Sequence, residues 1–441
     1  MGNRKRRGHT APPFSIPEPE FRFVVCFGVS RILLVDADAF FVAVARQADP
    51  DGAGRATRLI VGGRPGSRGV VCSASYETRA FGVRSGMPIS QALRLCPDAM
   101  CVPVPRNACS DTSRAIRHVL SQFTPLVEGA SIDEWYLDLS GTEALYQHEP
   151  IETTARRIRD DVFRKTGMRV SIGVGPNKLI AKLAAELAKP KPGSGATGVH
   201  VVAPAGVADF MAPFALADIP GIGPVLQEKL TSVGFLHVRD ILAASPQDVA
   251  RWLGRETAHR VLRKARGESD AAVEPRAPAK QVSREETFAR DITDLASLRQ
   301  ELLELARRVA ADLRGDGLAA RTVTVKVKDK TFTSRTISKT LPEPIESDAA
   351  VIAASETLLK KLRTGWTVPV RLVGVALSNF TPARDAEQMT MFGSAPAVES
   401  ARDRALSRAV DRVRDKFGDE SIRSGVPRSV PLGEKGARKP R

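Results

Sequence analysis

Residues 130–141 read ASIDEWYLDLSG and set two adjacent carboxylates, Asp133 and Glu134, at the head of the run Trp135, Tyr136 and Leu137. A run this apolar and aromatic reads as a strand. Neighbouring carboxylates in a partly buried strand repel each other and lose hydration, so something must compensate them: an arginine, an edge position in water, or a divalent cation. On both sides the hydrophobic period changes. Residues 108–124 (ACSDTSRAIRHVLSQFT) and 151–167 (IETTARRIRDDVFRKTG) are amphipathic helices, 169–175 (RVSIGVG) a strand, and 176–190 a helix opening at Pro176–Asn177. Upstream, 31–47 (RILLVDADAFFVAVARQ) passes from strand to helix, with Asp36 at the strand end, where active-site carboxylates sit on such scaffolds. Strands alternating with helices, some strands adjacent, give a mixed α+β sheet.

The rest of the chain has to fit around that sheet. At 441 residues it is too long for one core, and its 42% hydrophobic and 26% charged content is that of a globular protein. A formal charge of +16 points to a polyanionic partner, nucleic acid before an acidic membrane, although solubility alone also calls for charge. Five cysteines without a CxxC pair and six scattered histidines disfavour structural zinc and leave reduced thiols as the expectation. The apolar stretch RFVVCFGVSRILLV carries Arg22 and Arg31 and is followed by no cleavage pattern, so neither a signal peptide nor a membrane span is expected. Residues 1–28 are a basic arm. A strand pair (RLIVGG, GVVCSAS) precedes a Gly-punctuated helical region at 75–97; KPKPGSGATG interrupts the pattern, and helices run on to about 272. AAVEPRAPAK is a linker, 281–382 a second α+β module, and the remainder a polar tail with one helical patch, SRAVDRVRDKF.

Asp36, Asp133 and Glu134 together make a hard-oxygen set suited to Mg²⁺ rather than zinc. Two such ions, about 4 Å apart, activate an attacking oxygen and stabilise a leaving one in phosphoryl transfer. Strand neighbours point to opposite faces, so Asp133 and Glu134 share a site only if the backbone bends or the strand begins there; otherwise they are a solvent-edge pair. Tyr76 and Arg79 fall three apart on a helix face and suit a triphosphate. Lys178 opens a helix whose N-terminus favours anions. The same helix also reads as ordinary amphipathic sequence, with Leu179, Leu183 and Leu187 inward and lysines outward.

VDADAFF, SYETRAFGVRSGMP, SIDEWYLD and SIGVGPNKLIAKLAAELAKP stand in an order and spacing that resembles the Y-family DNA polymerases, over about residues 30–382. The resemblance implies an α+β multidomain right hand: palm (29–39 and 103–196), small fingers (40–102), a helical thumb (197–271), a linker (272–280), a DNA-gripping little finger (281–382) and a flexible tail (383–441). It implies two Mg²⁺ ions on Asp36, Asp133, Glu134 and the Ala37 carbonyl, with Glu134 nearest the primer 3′-hydroxyl. Ser73, Tyr76, Arg79 and Lys178 would hold the dNTP. Of Phe40 and Phe41, one is expected in the core, and the likeness makes Phe41 the ring beneath the incoming sugar that excludes a 2′-hydroxyl. Trp135 stands where the family commonly has a small residue, and Ala37 and Ala39 where it has bulkier ones, which leaves the packing of the site floor in question.

DIPGIGPVLQEKLTSVGF has the form of a helix-hairpin-helix, in which Gly221, Ile222 and Gly223 turn backbone N–H groups toward a phosphate. The hairpin TVTVKVKDKTFTSRTISK puts Lys326, Lys328 and Lys330 on one face, with Arg335 and Lys339 beyond the turn; a DNA-binding stripe and a lysine-guarded edge strand are both open readings. In the tail Gln388, Met391 and Phe392 form Q-x-x-M-F, which resembles the peptide that docks on a sliding clamp. The expectation is a low-fidelity, template-directed DNA polymerase without proofreading, active in translesion synthesis, cytoplasmic and monomeric. A palm-type nucleotide cyclase and a non-catalytic DNA-binding subunit are the competing readings.

Overall fold

The strand Ile32–Ala37 is buried along its whole length because antiparallel partners cover both edges, Glu134–Asp138 on one side and Val170–Gly175 on the other. In this computed structural model, which describes residues 30–190, 195–275, 279–383, 398–418 and 421–422, Val127–Gly129 and Val199–Val201 complete a five-stranded sheet. Only the last strand joins in parallel. Alternation sends Leu33, Val35, Trp135, Leu137 and Ile172 to one face, and Ile32, Leu34, Asp36, Glu134 and Tyr136 to the other. Trp135, 2% exposed, is therefore a core residue on the face away from Glu134.

Helix Lys178–Ala188 covers the second face, packing Ala181 and Ala185 on Ile32, Leu34, Tyr136 and Val273. It lies so close to the sheet that a Cβ on Gly173 would collide with the Ala181 carbonyl and the Ala185 amide nitrogen. Asn177 caps the helix, its side chain accepting from the Ile180 N–H at 3.0 Å. Leu179 and Leu183 point inward, but Leu187 is 45% exposed. Leu179, Ile180 and Leu183 share a core with the short helices that follow up to Ala265, Met211, Leu230, Ile241 and Val261 among them. The expected linker begins pinned rather than free: Val273 is buried against the sheet, and the Glu274 N–H donates to Glu128 at 2.9 Å. Helix Phe40–Ala48, with Phe40, Val42, Val44 and Ala45 buried, clusters with this first unit (residues 1–50 and 105–276).

The second unit holds 51–104 and 277–441. Val71–Ala74, Leu59–Gly62 and Met100–Pro103 form a three-stranded sheet over Ile89 and Ala92. The strands Ser334–Ile345, Leu318–Asp329, Val370–Pro382 and Gln281–Ile292 form an all-antiparallel sheet in that order. Helices Leu295–Gly315 and Asp348–Arg363 bury Leu298, Leu302, Val309, Val351 and Leu358 against Val323, Val325, Val327, Val373 and Val375.

The tail is not featureless after residue 382. Helix Ala401–Phe417 opens with a Ser400–Asp403 capping box and docks through charge. The Arg314 side chain, 4% exposed, pairs with Asp348 at 2.9 Å and Asp411 at 2.6 Å. Arg408 pairs with Glu346 at 2.8 Å, and the Glu399 carboxylate accepts from the N–H groups of Glu346 and Ser347. This helix extends the C-terminal domain beyond the expected boundary. Residues 1–28 and the Gln388, Met391 and Phe392 peptide lie outside the described residues.

Candidate active site

Asp36 and Glu134 are register partners on adjacent strands, so both carboxylates leave the same sheet face. The backbone bends through Ser131–Asp133 and the strand starts at Glu134, which meets the condition for two successive acids to serve one site. The Asp133 carboxylate turns back onto Ser131 Oγ, while its carbonyl accepts from the Ala37 N–H at 2.9 Å. Among the described residues no three acidic, His or Cys side chains are gathered closely enough to hold a metal ion. Two carboxylates are thus brought together, and the third, Asp133, stands beside them in the chain with its carboxylate on Ser131 Oγ.

Among the described residues, lysines supply the positive charge beside them. Lys182 Nζ lies 2.7 and 3.0 Å from the two Glu134 oxygens. Lys189 Nζ lies 2.9 Å from Asp36 Oδ2 and 2.6 Å from Glu186. Burial pushes the Asp36 carboxyl up to about 7, with the Lys189 ammonium opposing it and Glu134 adding to it. The reciprocal charge of Asp36 and Glu186 raises the Lys189 ammonium above its ordinary range, although burial alone would lower it. Asp38, a further acid of VDADAFF, is part-buried and accepts from Ser171 Oγ at 2.8 Å; desolvation raises its carboxyl.

Lys178 does not join this group. Its ammonium holds both Glu128 oxygens at 2.7 Å and the Ala272 carbonyl at 3.3 Å, and sits 4.7 Å over the Tyr136 ring. Eleven residues separate it from Lys189, about 16 Å along a helix. Lys178 fastens the segment leaving the helical region, and Lys182 and Lys189 are the cations that sequence reasoning missed. Their signal was present: positions 178, 182 and 189 fall on one helical face, which contradicts the expectation that the lysines point outward.

Phe40 is 1% exposed and meets Phe41 edge-on at 5.5 Å between ring centres. Its side chain is core, so only its backbone is left for a nucleotide; Phe41 is the partly exposed ring. Both open a helix whose N-cap, Ala39, is held at φ 45, a left-handed conformation unusual for a residue with a Cβ.

In the second unit Ser73, Tyr76 and Arg79 are neighbours. Ser75 caps a single helical turn, Tyr76–Arg79. Arg79 donates Nε to the Ala74 carbonyl at 2.9 Å and Nη2 to Ser73 Oγ at 3.4 Å, with its guanidinium 5.0 Å from the Tyr76 ring. Tyr76 is 42% exposed.

The hairpin of the helical region has Gly221 at φ +84, with Lys264 Nζ donating to the Pro220 carbonyl beneath the turn. Ile222 is buried, so only its backbone can meet a phosphate. On the C-terminal sheet the lysine stripe is smaller than its spacing suggested. Lys326 is neutralised by Glu285 at 3.0 Å, and Lys330 lies in the turn. Arg335 pairs with Val327 and Lys339 with Val323, so both share the face opposite to Lys326 and Lys328. Arg335 instead stacks 4.7 Å from the Trp366 ring.

Residues 35–186 match the impB/mucB/samB family, 279–391 its C-terminal domain, and 214–267 a SAM-like helix-hairpin-helix tandem. The chain is 36% identical over 391 residues to DNA polymerase IV of Desulfatibacillum aliphaticivorans, covering 89% of this chain and 95% of that protein. It is 41% identical over 353 residues to DNA polymerase IV of Methanoculleus marisnigri, covering 79% and 94%. The chain belongs to the Y family of DNA polymerases. Among solved structures, a Y-family DNA polymerase chimera built on Dbh superimposes with a TM-score of 0.69 at 28% identity, covering 79% of this chain and 98% of the chimera. DinB from Sulfolobus solfataricus gives 0.54 at 28%, covering 80% and 100%. Membership makes this protein a DNA-directed DNA polymerase of the translesion class, a metal-dependent nucleotidyltransferase acting on primer-template DNA and dNTPs. The cyclase and accessory-subunit readings fall away. No helix among the described residues is long and apolar enough to cross a membrane.

Proposed function

We propose that the chain extends primer 3′-ends with two Mg²⁺ ions, at low fidelity and without proofreading. The observation that carries this is the pairing of Asp36 with Glu134 on one sheet face, each balanced by an ammonium. Carboxylate oxygens are the hard donors that Mg²⁺ takes, and a bound ion would take the place of the ammonium groups now beside them. Asp36, Glu134, Asp133 and the Ala37 carbonyl would hold the ions, which lower the pKa of the 3′-hydroxyl and neutralise the departing pyrophosphate.

The chain's own residues do the rest. By the family resemblance Ser73, Tyr76, Arg79 and Lys178 would contact the incoming triphosphate. Phe41 lies under the sugar and excludes a 2′-hydroxyl by shape. The backbone at Gly221–Gly223 and the side chains Lys328 and Lys330 hold DNA by phosphate, without reading sequence. Gln388, Met391 and Phe392 dock a monomeric, cytoplasmic enzyme on the sliding clamp.

Primer extension tests the core of this. Asp36→Asn is expected to reduce extension to background while the Kd for primer-template stays near the unaltered value. Extension by that variant at a comparable rate would remove Asp36 from the chemistry.

A further inference from the structure

The tip of the hairpin between strands Leu318–Asp329 and Ser334–Ile345 carries an exposed aromatic ring in an unfavourable backbone conformation. Phe332 has φ 65, a left-handed angle that bulky residues avoid, and is 64% exposed. Asp329 enforces this turn from within. Its Oδ1 accepts from the Thr331 N–H at 2.8 Å, the Thr333 N–H at 3.0 Å and the Thr331 hydroxyl at 2.7 Å. The Phe332 N–H closes the turn onto the Asp329 carbonyl at 3.1 Å. Glycine or asparagine would occupy this conformation without strain, and neither would offer a ring.

A second feature aims charge at the same ring. Lys328 pairs with Leu372 and Asp329 with Val370, so Arg371 is the extra residue of a β-bulge. Its guanidinium lies 4.8 Å from the Phe332 ring centre. The ring therefore rests on a cation, with Lys328 and Lys330 adjacent in sequence. An exposed ring backed by a guanidinium does not suit an apolar protein surface. It suits a ligand with a flat π face and a phosphate beside it.

We infer that Phe332 and Arg371 form a stacking platform for one unpaired nucleobase of DNA, with Lys328 and Lys330 on the flanking phosphates. A paired base keeps its faces covered by neighbours, so the platform selects single-stranded DNA. The inference rests on the DNA-polymerase reading and adds a base contact to a domain otherwise expected to grip phosphate alone.

The test uses the full chain, a twenty-nucleotide oligo-dT and a blunt duplex of random sequence, with Kd measured by fluorescence anisotropy across a salt series. Phe332→Leu and Phe332→Gly are expected to weaken oligo-dT binding about tenfold, with Phe332→Trp close to the unaltered chain. Duplex affinity is expected to stay within about twofold, because phosphate contacts dominate it. The salt slope is expected to hold in the Phe332 variants and to fall by about one in Lys330→Gln. Phe332→Gly is expected to keep or raise Tm, because glycine relieves the left-handed angle. Unchanged oligo-dT affinity in both the Leu and Gly variants overturns the platform, as does an equal loss on duplex or a lowered Tm in every Phe332 variant. Failure of the unaltered chain to bind either DNA would overturn the underlying reading with it.

Discussion

Lysine and carboxylate partners separate two residues of the same kind on one helix. Lys189 sits at Asp36, and Lys178 at Glu128 and the Ala272 carbonyl. Lys189→Met is expected to raise the Asp36 carboxyl further and to move the onset of extension to higher pH, because Asp36 loses the ammonium that opposes its burial; a pH–rate profile is the measurement. Lys178→Met is expected to raise KM for the nucleotide and to cost about 1–3 kcal/mol of stability, because it strands the part-buried Glu128; steady-state kinetics beside thermal unfolding measures both. Phe41→Ala is expected to raise ribonucleotide incorporation with little change for deoxynucleotides, and extension with rNTPs alone is the measurement. The acids were legible because an acidic pair at a strand end has few structural explanations. The choice of lysine was not. Positions 178, 182 and 189 share one face, and which end of that face reaches Asp36 depends on the direction in which the helix crosses the sheet. No local pattern encodes that direction.

At the level of elements, one glycine sets that crossing. Gly173 admits the backbone of helix Lys178–Ala188 against the strand, where any Cβ meets Ala181 and Ala185. Gly173→Val is expected to cost about 1–3 kcal/mol by overpacking and to draw Lys182 and Lys189 away from Glu134 and Asp36. A lower Tm together with a fall in extension larger than the Tm loss explains would show both effects; unchanged kinetics would mean that the helix adjusts without moving the lysines. The central strands, the helix opening at Asn177 and the C-terminal hairpin were all readable from period and punctuation. Arg335 was misplaced because facing across a hairpin depends on register, and the turn after Asp329 puts Arg335 opposite buried Val327. Helix Ala401–Phe417 was underread for a different reason. It docks by ion pairs to Arg314 and Glu346, whereas a periodic search rewards apolar stripes.

Across the whole molecule, the formal charge of +16 belongs with a phosphate-gripping enzyme; it is the surplus of 66 Lys and Arg over 50 Asp and Glu. Lys178, Lys182, Lys189, Lys326 and Arg314 each neutralise an acid of their own chain. These pairs cancel within the fold and leave the surplus of +16 unchanged. The lysine partners of Asp36 and Glu134 carry a practical consequence as well. Because those carboxylates are already balanced by fixed ammonium groups, the fold has no need of a divalent ion to relieve repulsion there. Excess EDTA is expected to silence nucleotide addition while leaving the melting temperature unchanged, and adding back magnesium should restart it without a refolding lag. Asp36 and Glu134 are in this sense electrically at rest before any cation reaches them.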